Sequence, residues 1–148
     1  MAAGDAKTYR DAVLKINEGA YDEADTWTLA FVSDTYATLN TDATNPQLSN
    51  VSVVSGGNVS AAYNIASFTI TRSGGTITFD GTDIGTITKN ASNPATLRSA
   101  VLYNNTSTND DLIQAWDMTT DGSTALDLVN NDFTFSFGAS GILTATVA

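Results

Sequence analysis

Carboxylates are the catalytic candidates this chain offers. Its 148 residues carry 16 Asp and Glu against 6 Lys and Arg, with no His and no Cys. Without imidazole or thiol there is no disulfide framework, no Ser–His or Cys–His triad and no metal ligand of those types. The closest acidic pairs are Asp110-Asp111 and the turn Asp80-Gly81-Thr82-Asp83. A glycosidase needs two carboxyls facing each other across a cleft, one with a raised pKa. Adjacent aspartates in polar turns sit in water and stay ionised, so the reading is not an enzyme. Calcium favours loops rich in carboxylates and carbonyls, and Asp80–Asp83 or Asp117–Asp121 could supply two or three oxygens. The alternating acidic spacing and closing Glu of an EF-hand are absent, and Asp-Gly is a common turn dipeptide, so no metal is expected.

No phosphate-binding loop is present either: Gly56-Gly57 and Gly74-Gly75 join strands, and no cofactor is expected. The Asn-x-Ser/Thr triplets at Asn50, Asn58, Asn90 and Asn104 are what chance gives in a chain so rich in these residues. A net charge of −10, with no Lys or Arg between Ile16 and Thr71, argues against nucleic acid as a partner. The stretch Met1–Arg10 lacks the apolar core of a secretion signal, and no apolar run is long enough to span a bilayer. The expectation is a product of the cytosol with no membrane partner. Trp27 and Trp116 each sit inside a strand pattern and read as core rather than as sugar platforms.

The elements that must hold these residues are mostly strands. Thr alone accounts for 23 residues and favours strands, while the 13 Asn and 13 Ser favour turns. One helix is expected over 5–19, capped by Asp5, stopped at Gly19, and carrying Tyr9, Val13 and Ile16 on one apolar face with Ala12 beside them. The helix either packs on the sheet or acts as an arm docking on a neighbour. The period then changes to two: Trp27, Leu29 and Phe31 share one face of a strand over Thr26–Val32. Ser33–Asn50 reads as a long loop and Val51–Val54 as a short strand. Phe68–Arg72 and Thr76–Phe79 form a hairpin around Ser73-Gly74-Gly75. Short strands follow at Ile84–Lys89, Leu97–Tyr103, Leu112–Met118, Phe133–Phe137 and Ile142–Val147. Turn signals about every ten residues, with no helical crossovers, give one mainly β domain over 1–148. It is expected to be an antiparallel β-sandwich or jelly-roll-like barrel, with its β core over 26–148.

Three segments, in order, resemble a family of small tailed-bacteriophage virion structural proteins. The first is the helix followed by Asp25-Thr26-Trp27-Thr28-Leu29-Ala30-Phe31-Val32-Ser33-Asp34-Thr35-Tyr36. The second joins Leu97-Arg98-Ser99-Ala100-Val101-Leu102-Tyr103 to Leu112-Ile113-Gln114-Ala115-Trp116-Asp117-Met118 across a Thr-rich loop. The third is Asp132-Phe133-Thr134-Phe135-Ser136-Phe137 with Gly141-Ile142-Leu143-Thr144. The stretch from Asn40 to Lys89 departs from the family pattern.

The resemblance implies virion assembly. The first expectation is a capsid decoration (cement) protein, made in the host cytoplasm and placed on the capsid surface with the major capsid protein as partner. The alternatives are a tail tube or fibre-associated protein, or a carbohydrate-binding module on the virion using exposed aromatics. Sheet edges suggest a homo-oligomer, a dimer or trimer. Tyr9, Val13 and Ile16 are the candidate contact to a neighbouring subunit or to the capsid.

Overall fold

The computed structural model describes residues 5–146. Residues 1–4, the start of the segment tested for a leader, and Val147, the end of the last expected strand, lie outside it. The chain is mainly β, with antiparallel sheets and one α-helix near its N-terminus; the architecture is a β-sandwich and not a closed barrel.

Strands β1 (Ala6–Thr8), β2 (Trp27–Val32), β3 (Tyr63–Asn64), β7 (Ser99–Asn104) and β8 (Asp111–Asp117) build a five-stranded sheet in the order β1-β8-β7-β2-β3. A second layer holds β4 (Thr69–Ser73), β5 (Thr76–Asp80) and β10 (Leu143–Thr146) in the order β10-β5-β4, beside the pair β6 (Gly85–Ile87) and β9 (Phe133–Phe135). Aromatic side chains join the layers. Trp27 stacks on Phe68 with centroids 4.3 Å apart, and Phe31 meets Phe133 and Phe135 edge-on at 6.0 and 5.9 Å.

The alternation of Trp27, Leu29 and Phe31 predicts a strand with one dry face. In the fold every residue of β2 is buried, because the other face is dry too. Thr28, Ala30 and Val32 lie opposite Tyr103, Val101 and Ser99, so these six share that second face. The segment between β2 and β3 lies over it. Ser99 Oγ donates to the Asp34 carbonyl at 2.8 Å, and Lys7, opposite Ala115, donates Nζ to the Tyr36 carbonyl at 2.8 Å. A sheet with both faces covered explains why β7 is wholly buried and β8 nearly so.

Two expected elements are corrected. The helix α1 runs Arg10–Glu18, not from residue 5, and Tyr9 at its N-cap makes no side-chain cap bond. Ala6–Thr8 instead pair with Trp116–Gln114 and cover the open edge of β8. The Tyr9 amide continues this ladder to the carbonyl of Ile113, the extra residue at a register shift between β7 and β8. Gly19 ends the helix as expected, in the left-handed region at φ 69°. Val51–Val54 is not a strand; it is tied to β2 by one bridge, Val32 to Val53, and by the Ser33 and Val54 amides.

The last two strands are shorter than expected, and they do not pair with each other. β9 pairs with β6 in one sheet, whereas β10 pairs with β5 in another. The Gly138–Gly141 turn therefore moves the chain between sheets. Gly141 has φ +86°, and a Cβ there would stand 2.6 Å from the Phe79 carbonyl oxygen, so only glycine fits this crossing.

Candidate functional site

The carboxylates that seemed nearest to chemistry in sequence are spent on local structure. Asp80 Oδ1 accepts from the Gly81 amide and Asp83 Oδ1 from the Phe137 amide, at 2.8 and 2.7 Å. Asp117 Oδ1 accepts from both the amide and the hydroxyl of Thr119. Asp121 gathers the amides of Ser123 and Thr124 and the Thr124 hydroxyl, which hold its carboxyl well below the usual carboxylate range. Among the described residues no three acidic side chains converge. Asp110 and Asp111 part company: Asp110 takes a positive φ of 53°, while Asp111 turns inward and is buried.

Asp111 anchors the helix. Lys15 Nζ donates to Asp111 Oδ2 at 2.7 Å and lies 3.3 Å from Asp11 Oδ2 on its own helix. The Tyr21 hydroxyl reaches the same Asp111 oxygen at 3.4 Å. Burial alone would lower the Lys15 pKa, but the two carboxylates outweigh it and the pKa is raised. Burial and the negative charge of Asp111 and Asp11 push the Tyr21 phenol up strongly. A lysine held charged between two carboxylates fastens α1 to β8; it is not a poised nucleophile.

The three helix positions named from sequence separate. Tyr9 and Ile16 are buried in the chain's own core, with Ala12 between them, and are not available to a partner. Val13 stays at the surface, and its neighbour Leu14, at 53% exposure, is the most exposed large apolar side chain among the described residues. The outward face of α1 therefore belongs to Val13 and Leu14. Trp27 and Trp116 are buried at 1% and 6% exposure, so neither offers a ring to a sugar, and the exposed-aromatic route to a glycan is withdrawn.

A cavity that sequence reasoning missed lies under the cover segment. It has a volume of about 360 Å³, and its apolar walls come from Leu39, Pro46, Val51 and Leu112. Asp34 and Tyr9 join that lining. Asp34 Oδ2 accepts from the Ser52 amide at 2.6 Å, and Asp34 makes no ion pair among the described residues. The Tyr9 hydroxyl is buried with no hydrogen-bond partner among the described residues, and burial with the charge of Asp34 pushes its pKa up to about 12. Backbone bonds hold the walls: Leu48 N to Asp110 O, Leu112 N to Pro46 O, and Arg10 N to Thr41 O. The signal in the sequence was the apolar Leu39, Leu48 and Val51 in and beside a segment otherwise rich in Thr, Asn and Asp.

A second depression of about 240 Å³ adjoins the first, sharing Ala43 and Thr44 with it and running along Arg10, Asp11, Leu14 and Asp42. No helix among the described residues is long and apolar enough to cross a membrane. No protein-family model matches this chain, and neither a curated protein nor a solved structure does.

Proposed function

We propose that this chain is a virion structural protein, and specifically a capsid decoration protein that binds the outside of the major capsid protein lattice and stabilises the mature shell. One observation carries the reading: the three segments that carry the sequence resemblance are neighbours in the fold. Trp27–Val32, Ser99–Asn104 and Asp111–Asp117 are the three adjacent central strands of the main sheet, and Phe133–Phe135 with Leu143–Thr146 belongs to the layer packed on it. The stretch that departs from the family pattern, Asn40 to Lys89, supplies part of the cover segment, the short edge strand β3 and the β4–β5 hairpin.

The physical character of the chain supports a binding role. Asp80, Asp83, Asp117 and Asp121 are absorbed in backbone contacts and Asp111 in the Lys15 anchor, the aromatic residues join the layers, and the net charge of −10 suits a basic patch on a partner. The mechanism is cross-bridging. Each copy buries surface on more than one capsid subunit, so breaking the shell must break those contacts as well. A protein that binds only the mature lattice stabilises that state by mass action, and repetition over the shell adds multivalency. A dimer or trimer of this chain is the expected bridging unit.

The test is the copy number in purified particles, by quantitative densitometry against the major capsid protein. A simple ratio from about one third to about equal supports decoration. A ratio many times lower reassigns the chain to the tail or a vertex, and absence from particles overturns the virion reading.

A further inference from the structure

We infer that the cavity beneath the cover segment receives a lysine side chain of a protein partner, its alkyl stem against Leu39, Pro46, Val51 and Leu112 and its ammonium group at Asp34. The inference deepens the binding role proposed above and rests on it for the existence of a protein partner. Its chemistry is carried by the cavity itself.

Among the described residues no Lys or Arg lines this cavity, so it does not suit an anion. The one charged lining residue among them is Asp34, whose carboxylate accepts from the Ser52 amide at 2.6 Å. Lys7 Nζ is committed to the Tyr36 carbonyl and Arg98 to the carbonyls of Ser33, Thr96 and Ser123, while Arg10 lines the second depression and not this cavity. A primary ammonium brings three donors and no acceptor, which matches a carboxylate. Its four-carbon stem matches apolar walls.

The source is a protein, not a free amine, because the recess does not end at its rim. Through Ala43 and Thr44 it continues into the second depression, beside the exposed Leu14. That gives a lysine-bearing surface an apolar contact next to its anchor. The overall charge of −10 favours a basic partner surface.

The experiment uses the isolated full chain and three probes. These are an acetylated, amidated Gly-Lys-Gly peptide, the same peptide with norleucine for lysine, and butylammonium chloride, each titrated while the backbone amide resonances are followed. The lysine peptide is expected to move the signals of Leu39, Val51 and Leu112 and of Leu14. Asp34→Asn, which keeps an acceptor for the Ser52 amide, should weaken that binding at least about tenfold, since a charge-assisted hydrogen bond is lost. Equal binding of the norleucine peptide overturns the inference in favour of a merely apolar recess. Butylammonium binding as tightly as the peptide, with Leu14 unmoved, overturns the protein source. No shift with any probe overturns it altogether. These results are independent of particle copy number, so this inference and the decoration reading can fail separately.

Discussion

Lys15 Nζ and Asp111 Oδ2 stand 2.7 Å apart across 96 residues of sequence, and this contact fastens the only α-helix among the described residues to the first residue of β8. The pair is unequally buried, with the Asp111 side chain at 10% exposure and that of Lys15 at 26%. Removing the lysine leaves a mostly buried carboxylate with only the Tyr21 hydroxyl and nearby solvent. Lys15→Met is therefore expected to destabilise the protein by about 1–2 kcal/mol, below the range for a fully buried pair because Lys15 is partly screened. Asp111→Asn keeps a hydrogen-bonding group and should cost less. Urea denaturation of both variants checks the order, and an equal loss would show that charge plays no part.

Tyr9 and Tyr21 set the alkaline limit. Both phenols titrate higher in the folded chain than the ordinary value near 10, Tyr9 at about 12. Above pH 10 the unfolded chain loses these protons while the folded chain keeps them, so the unfolded state binds fewer protons and stability falls as pH rises. Lys15, whose pKa is also raised, acts in the same direction. Stability owed to these groups is whole below pH 10 and drains away as the pH rises through about 12 and beyond. Denaturant midpoints at pH 8 and pH 11 should show the loss. Tyrosinate absorbance on the folded protein should show Tyr9 and Tyr21 still largely protonated at pH 11.

Phe31 ties the two layers together, touching Tyr63, Phe133 and Phe135 from the penultimate position of β2 with no exposure to solvent. Phe31→Ala empties that junction and is expected to cost about 3–5 kcal/mol. Tyr63, at the edge, is half-buried, and Tyr63→Ala should cost less. Thermal or urea unfolding decides it.

The Gly138–Gly141 turn offers a controlled pair. Gly141→Ala brings a Cβ to 2.6 Å from the Phe79 carbonyl at a φ of +86°, while Gly138→Ala meets nothing within 4 Å. The first change should cost more than about 1 kcal/mol, and the second should lie within about half a kcal/mol of zero. Similar effects at both positions would contradict the crossing described for this turn.

The strands with the strongest period-two pattern were legible: Trp27–Val32, the hairpin around Gly74-Gly75, and the pair β7–β8. Partners chosen at long range were not. Ala6–Thr8 precede a helical apolar pattern and read as its first turn, but the free edge of β8 takes them as a strand. Phe133–Phe135 and Leu143–Thr146 look like one hairpin because a turn is a local signal, whereas sheet partners are set by the whole core. The helix spacing correctly grouped Tyr9 and Ile16, yet it could not say whether their face met this chain's core or another molecule. The cavity was hidden for a related reason. Leu39 and Pro46 are separated by polar residues, and only the fold of the cover segment over β8 gathers them.

The outward face of α1 gives the prediction closest to function. Val13 and Leu14 are at 37% and 53% exposure, and Leu14 borders the depression that adjoins the Asp34 cavity. A Leu14→Asp substitution places a charge where a partner would bury apolar surface, and it removes no core contact. The folded stability should change by less than about half a kcal/mol, as for surface sites generally. Occupancy on particles, measured by adding purified protein to particles lacking it, should fall severalfold. Val129, also at 37% exposure, lies on the segment leading to β9 and lines neither depression. Val129→Asp is the control, expected to leave both stability and occupancy unchanged. If the Leu14 variant decorates as well as the parent chain, the docking face lies elsewhere. If the Val129 variant fails equally, the loss reflects added negative charge rather than a contact at α1.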